Sequence, residues 1–122
     1  MKKIIAVAAL ILAPSIALAG GDNHHTQNNV QYTGPVELTD LTNLITDSSM
    51  FTEQKVVVEG KLIRQINHDT FIFSDGQSEV QIELDDDIIL NQALDANTPV
   101  RLFGEFEGGN TPEIEVDRIQ VL

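Results

Sequence analysis

The spacing of apolar residues changes along the chain, and each change marks an element. Leu38, Leu41, Leu44 and Ile45 recur every three to four residues. That spacing predicts one apolar face of a short helix, starting near Thr39 or Asp40. From Gln54 the period becomes two. Val56, Val58 and Leu62 share one face, and Gly60 falls between them, where a glycine predicts a bulge or bend in a long strand. Asn67-His68-Asp69 predicts a tight turn, residues 70–74 a second strand with Phe71 and Phe73 inward, and Asp75-Gly76 a hairpin. The third strand follows, with Val80, Ile82 and Leu84 on one face and Glu79, Gln81, Glu83 and Asp85 on the other.

Beyond it, Ile89, Leu90, Ala93 and Leu94 fall on one helical face. Asp85-Asp86-Asp87 would complement the positive end of such a helix, and Asn97-Thr98-Pro99 would stop it. Residues 100–106 and 113–121 read as fourth and fifth strands, joined through Gly108-Gly109-Asn110. The predicted fold is therefore all-β with minor helices: a five-stranded OB-fold barrel with a short N-terminal helix and a helix between strands 3 and 4.

The first nineteen residues stand outside this plan. Lys2 and Lys3 precede an almost wholly apolar run from Ile4 to Leu18, broken by Pro14, and Ala17-Leu18-Ala19 fits the small-x-small cleavage rule. The run is short for a bilayer span of about 20 residues. Residues 1–19 are expected to be a cleaved secretory signal, residues 20–31 a flexible polar leader, and residues 32–122 the folded domain. No stable membrane insertion is expected after cleavage.

Charge narrows the partners. The whole chain carries 19 acidic and 7 basic side chains, a formal net charge of −12. Loss of Lys2 and Lys3 would make it more negative still. Such a surface repels phosphate backbones and favours cationic or neutral partners. The chain has no cysteine, so a secreted domain must be held by packing, without disulfides. These features suit a bacterial periplasm.

Candidate chemistry concentrates on acidic rows. Glu79, Gln81, Glu83 and Asp85 alternate along the third strand, and Glu113, Glu115 and Asp117 repeat the pattern on the fifth. In an OB barrel those strands adjoin, so these seven residues form the predicted ligand-binding face. Two readings stand: a solvated outer face, and a platform that attracts cations. Asp85-Asp86-Asp87 does not fit the calcium-loop template, since Ile89 and Leu90 occupy its fifth and sixth positions. His24 and His25 lie in the leader without further ligands nearby. No metal and no cofactor is expected. Catalysis finds no cysteine nucleophile, G-x-S-x-G or H-E-x-x-H, and His68 lacks a matched serine and carboxylate. No catalytic residue is assigned, and the protein is expected not to be an enzyme. Nucleic acid is excluded as a partner, because few bases and inward-facing phenylalanines oppose it.

Several segments, in order, resemble the bacterial OB-fold (BOF) family of stress-induced periplasmic proteins, of the YgiW/YdeI type. They are Tyr32-Thr33-Gly34-Pro35, the strand Val56-Val57-Val58-Glu59-Gly60-Lys61-Leu62-Ile63, and the turn and strand from His68 to Asp75. Glu79 to Asp85, Val100 to Glu107 and Ile114 to Ile119 complete the match. The chain departs from the family pattern in having Ile88-Ile89-Leu90 where a tryptophan often follows the third strand. The resemblance implies a role in envelope stress, including peroxide and cationic-compound tolerance, and binding of small neutral or cationic ligands. Together these readings predict a non-enzymatic periplasmic binding protein for a small cationic or neutral molecule. The alternative is an adaptor that docks on a periplasmic or inner-membrane protein, with Met50-Phe51 as its apolar surface.

Overall fold

The structure is a computed structural model that describes residues 30–122, of which Thr33–Leu122 form one unit. The expected signal and all but the end of the expected leader lie outside the described residues. Among the described residues, one α-helix, α1 (Leu41–Asp47), precedes five strands: β1 (Glu53–Asn67), β2 (Thr70–Ser74), β3 (Glu79–Leu84), β4 (Val100–Glu107) and β5 (Glu113–Val121). The strands close into a barrel in the order β1-β2-β3-β5-β4. All neighbouring pairs are antiparallel except β3 and β5, which run parallel.

Alternation puts the apolar set inside. Val56, Val58 and Leu62 of β1, Phe73 of β2, Val80 and Ile82 of β3, Leu102 and Phe106 of β4, and Ile114 and Val116 of β5 are buried together. Phe71 is half-buried at the margin of this core. Burying each such side chain contributes about 1.5–3 kcal/mol toward holding the barrel. Helix α1 begins where the sequence predicts: the Asp40 carboxylate accepts from the Asn43 backbone N–H at 3.1 Å. The helix buries Leu41 and packs Leu44 and Ile45 against the core, whereas Leu38 lies ahead of the helix and is exposed.

The long strand β1 serves two neighbours. Residues from Glu53 to Gly60 pair with β4, and those from Lys61 to Asn67 pair with β2. Gly60 stands at this change of partner. A Cβ placed there would overlap the Ser74 carbonyl oxygen and lie 2.8 Å from Phe73 Cζ. The requirement is thus for close approach. The register shifts of β1 come later, between Leu62 and Arg64 and between Gln65 and Asn67.

The helix predicted between strands 3 and 4 is absent: residues 85–99 form an irregular loop. Aspartates that suit a helix start instead capture the backbone in turns. The Asp85 carboxylate accepts from the Asp87 N–H at 3.0 Å, and the Asp95 carboxylate accepts from the Asn97 N–H at 2.9 Å and the Thr98 hydroxyl at 2.9 Å. Ile88, Leu90 and Leu94 then turn toward the core, while Ile89 is 85% exposed. Ile88, Leu90 and Leu94 thus still pack against the core, but from a loop.

Outside the barrel, one buried charge ties the lead-in chain to the sheet. Arg101 is 2% exposed although it lies on the outward side of β4. Its guanidinium bonds the Glu59 carboxylate at 2.6 and 2.7 Å, the Gln120 side-chain oxygen at 3.3 Å and the Gly34 carbonyl at 2.6 Å. Thr39 adds a second tether, exchanging bonds with the Val57 backbone at 2.8 and 3.1 Å.

Candidate functional site

The outward positions of β3, β5, β4 and β1 line up across the barrel wall. One cross-strand row runs Glu83, Glu115, Glu105 and Lys55; the next runs Gln81, Glu113, Glu107 and Glu53. Strand pairing holds these side chains close because Ile82, Ile114, Val116, Gly104 and Phe106 point the other way, into or toward the core. Oxygen atoms of Glu83, Glu113 and Glu115 lie within 4.8 Å of one another. Gln81 relieves part of the crowding by donating from its amide to Glu113 at 3.0 Å.

Crowded carboxylates hold protons more tightly. The Glu83 pKa is raised chiefly by the charge of Glu113, then by Asp69, with burial, Glu115 and Asp86 adding smaller effects. The Glu107 pKa is raised first by desolvation and then by Glu115, Glu53, Glu105 and Glu113. A cation placed among these oxygens would offset the repulsion, which is the chemistry the arrangement offers. The hard oxygen set suits ammonium groups and hard divalent ions.

The seven residues predicted from sequence are not one cluster. Gln81, Glu83, Glu113 and Glu115 come together in the two paired rows. Glu79 pairs only with Ser74 and stands beyond the first β3–β5 partner pair. Asp85 and Asp117 lie at the other end, where with Glu83, Asp86, Glu105, Glu115 and Lys55 they line a depression of about 380 Å³. Asp117 occupies a β-bulge: the β4–β5 register shifts between Phe103 and Gly104, leaving Asp117 without a partner residue. Consequently Asp117 and Arg118 are both exposed, one after the other.

Sequence reasoning missed Glu53, Glu105 and Glu107. Their signal was present, since Glu105 and Glu107 alternate with Gly104 and Phe106 in the fourth strand. What joins them to the site is the pairing of β4 with β5, which puts Glu105 opposite Glu115 and Glu107 opposite Glu113. Of the histidines, His68 is described: its side chain is 87% exposed and lies 3.7 Å from the Asp69 carboxylate.

Comparison with known proteins places the chain. It is 25% identical over 122 residues to an uncharacterized protein of Haemophilus influenzae, covering 99% of this chain and 97% of the relative. It is 24% identical over 123 residues to the calcium-regulated OB-fold protein CarO of Pseudomonas aeruginosa, covering 100% of this chain and 97% of that protein. Among solved structures it resembles the hypothetical protein ygiW from E. coli, with a TM-score of 0.62, 19% identity, and coverage of 77% of this chain and 100% of the other. The model of the bacterial OB fold (BOF) protein family matches residues 20–121, and the chain belongs to that family.

Proposed function

We propose that this is a non-enzymatic periplasmic binding protein of the envelope stress response, which takes small cationic ligands on the acidic wall formed by β3, β5, β4 and β1. The observation that carries the proposal is the approach of Glu83, Glu113 and Glu115 within 4.8 Å, on adjoining strands whose next neighbour adds Glu105 and Glu107. Like charges directly opposite one another destabilise a sheet. A binding function gives that unfavourable arrangement a use. The apolar, signal-like run at residues 4–18 supports export, and the likeness to a calcium-regulated Pseudomonas protein makes a divalent ion a natural probe beside polyamines. The acidic wall opposes nucleic acid, the common ligand of OB barrels.

Titration of the protein with spermidine and with calcium, followed by amide chemical shifts, tests the proposal. Saturable shifts confined to the acidic wall and weakened by added salt are expected. Shifts scattered over the surface, or none, would contradict it.

A second reading, a protein-interaction adaptor, is favoured by one observation. Phe51 is 90% and Met50 57% exposed at the turn between α1 and β1. An exposed aromatic at a turn tip is a plausible anchor for a partner protein. Under that reading Phe51→Ser abolishes partner capture while leaving cation binding intact.

A further inference from the structure

A second concavity adjoins the paired acidic rows and shares Lys55 and Asp117 with the depression described above. It is a groove of about 820 Å³ between the chain from Glu37 through α1 and the outer face of β1, β4 and β5. That volume falls in the range of small-molecule sites. Its walls carry different charges. The lead-in and helix wall presents Glu37, Asp40 and Asp47; the sheet wall presents Lys55 and Arg118, with Asp117 beside them. Two of the chain's 7 basic side chains thus meet in one groove, facing acidic groups on the other wall.

The two walls do not neutralise each other. Among the described residues, Lys55 and Arg118 form no ion pair with Glu37, Asp40 or Asp47. Asp40 is engaged in capping α1, whereas Glu37 and Asp47 accept no hydrogen bond from the described residues. Arg118 is held in place all the same: its guanidinium stacks over the Phe103 ring at 3.8 Å from the centroid. Stacking engages the face of the guanidinium and leaves its N–H edge available to an acceptor. The bulge at Asp117 is what turns Arg118 outward over Phe103, since without the extra residue Arg118 would fall on the inward side of β5. Tethers at Gly34 and Thr39 fix the opposite wall to the barrel.

We propose that this groove binds a zwitterion of amino-acid or dipeptide size. The ligand carboxylate lies toward Arg118 and Lys55, and its ammonium toward Glu37 and Asp47. The apolar body rests between Leu44 and Val57, which line the same groove. This site borders the acidic wall and shares Lys55 and Asp117 with its depression, but its remaining charged groups, Glu37, Asp47 and Arg118, lie outside the paired acidic rows.

The test is an amide chemical-shift titration of the protein with alanyl-leucine, repeated with N-acetyl-alanyl-leucine and alanyl-leucinamide. The expected result is saturable shifts at Asp47, Val57, Phe103 and Arg118, with binding at least about tenfold weaker once either ligand charge is removed. Arg118→Gln and Asp47→Asn, both at exposed positions, should each weaken alanyl-leucine binding by a similar factor while leaving the amide spectrum dispersed. Equal binding of all three peptides, unchanged binding by both variants, or no saturable shift with alanyl-leucine would each overturn the proposal. Shifts confined to Glu83, Glu113 and Glu115 with the amidated peptide alone would do so too, and would leave the acidic wall as the cation site.

Discussion

Glu83 and Glu115 stand directly opposite one another on the parallel strands β3 and β5. Nothing in the backbone requires two glutamates there, since Ile82 with Ile114 and Leu84 with Val116 already supply the inward-facing pairs. The outward pair is therefore free to serve charge, and it is joined by Glu105 on the next strand.

The first prediction concerns pH. Glu83 and Glu107 have pKa values raised above the ordinary glutamate value of 4.5. The folded state therefore binds protons more tightly than the unfolded state just above that pH. Stability from these groups is gained as pH falls through their folded pKa values and lost as pH rises through them. The melting temperature should rise on mild acidification from neutrality toward that window. Glu83→Gln should raise it at neutral pH and flatten the dependence. A melting temperature that falls steadily from neutrality toward that window would contradict this.

Gly60 is predicted to tolerate no side chain. Its Cβ would meet the Ser74 carbonyl and the Phe73 ring, so Gly60→Ala should cost about 1–3 kcal/mol through overpacking. Gly76 is the contrast. It has φ of 97° and open space around it, so alanine there acts through backbone strain alone. Chemical denaturation measures both. An unchanged midpoint for Gly60→Ala would show that the strand crossing can relax.

Arg101 is predicted to be the polar keystone of the lead-in chain. Arg101→Met leaves Glu59 without its partner and frees the Gly34 carbonyl, at a cost of about 3 kcal/mol. Adding Glu59→Gln should recover part of that loss, because the stranded charge goes with it. A double-mutant cycle showing no coupling would contradict the assignment.

The barrel was legible where one face of a strand is buried, because period-two alternation then records the burial directly. Val56, Val58 and Leu62, or Val80 and Ile82, are examples. Helix α1 was legible from its apolar spacing and Asp40. The loop at residues 85–99 was misread for a physical reason. Ile89, Leu90, Ala93 and Leu94 have helical spacing, yet Asp85 and Asp95 offer the backbone competing hydrogen bonds. Arg101 was not singled out, because its outward position in β4 looks exposed until Gly34 closes over it. The acidic site was half legible. Its β3 and β5 rows follow from alternation and the OB strand order, whereas the role of Glu105 and Glu107 depends on register, and the splitting-off of Asp117 on a bulge. The bulge does show in the sequence as a phase change, from Ile114 and Val116 to Ile119 and Val121, but which residues stand opposite across β4 and β5 does not.

Removal of the loop's turn bonds gives a further prediction. The Asp95 pKa is lowered, first by the Asn97 N–H and then by the Thr98 hydroxyl. Asp95→Ala should loosen residues 95–98 and raise their amide exchange, with the barrel strands unaffected. If those amides keep their protection, the Asp95 bonds do not hold the loop.

The central claim is that the acidic wall binds cations, and Glu83→Gln with Glu115→Gln tests it most directly. The double substitution keeps side-chain size and strand alternation while removing two carboxylates that face each other. Isothermal titration with spermidine and with calcium, at low and high salt, compares it with the unaltered protein. The account predicts saturable, salt-sensitive binding to the unaltered protein and at least about tenfold weaker binding to the double variant, alongside a higher melting temperature from relieved repulsion. Equal cation binding by both proteins would contradict it, and the acidic rows would then serve only to solvate the sheet.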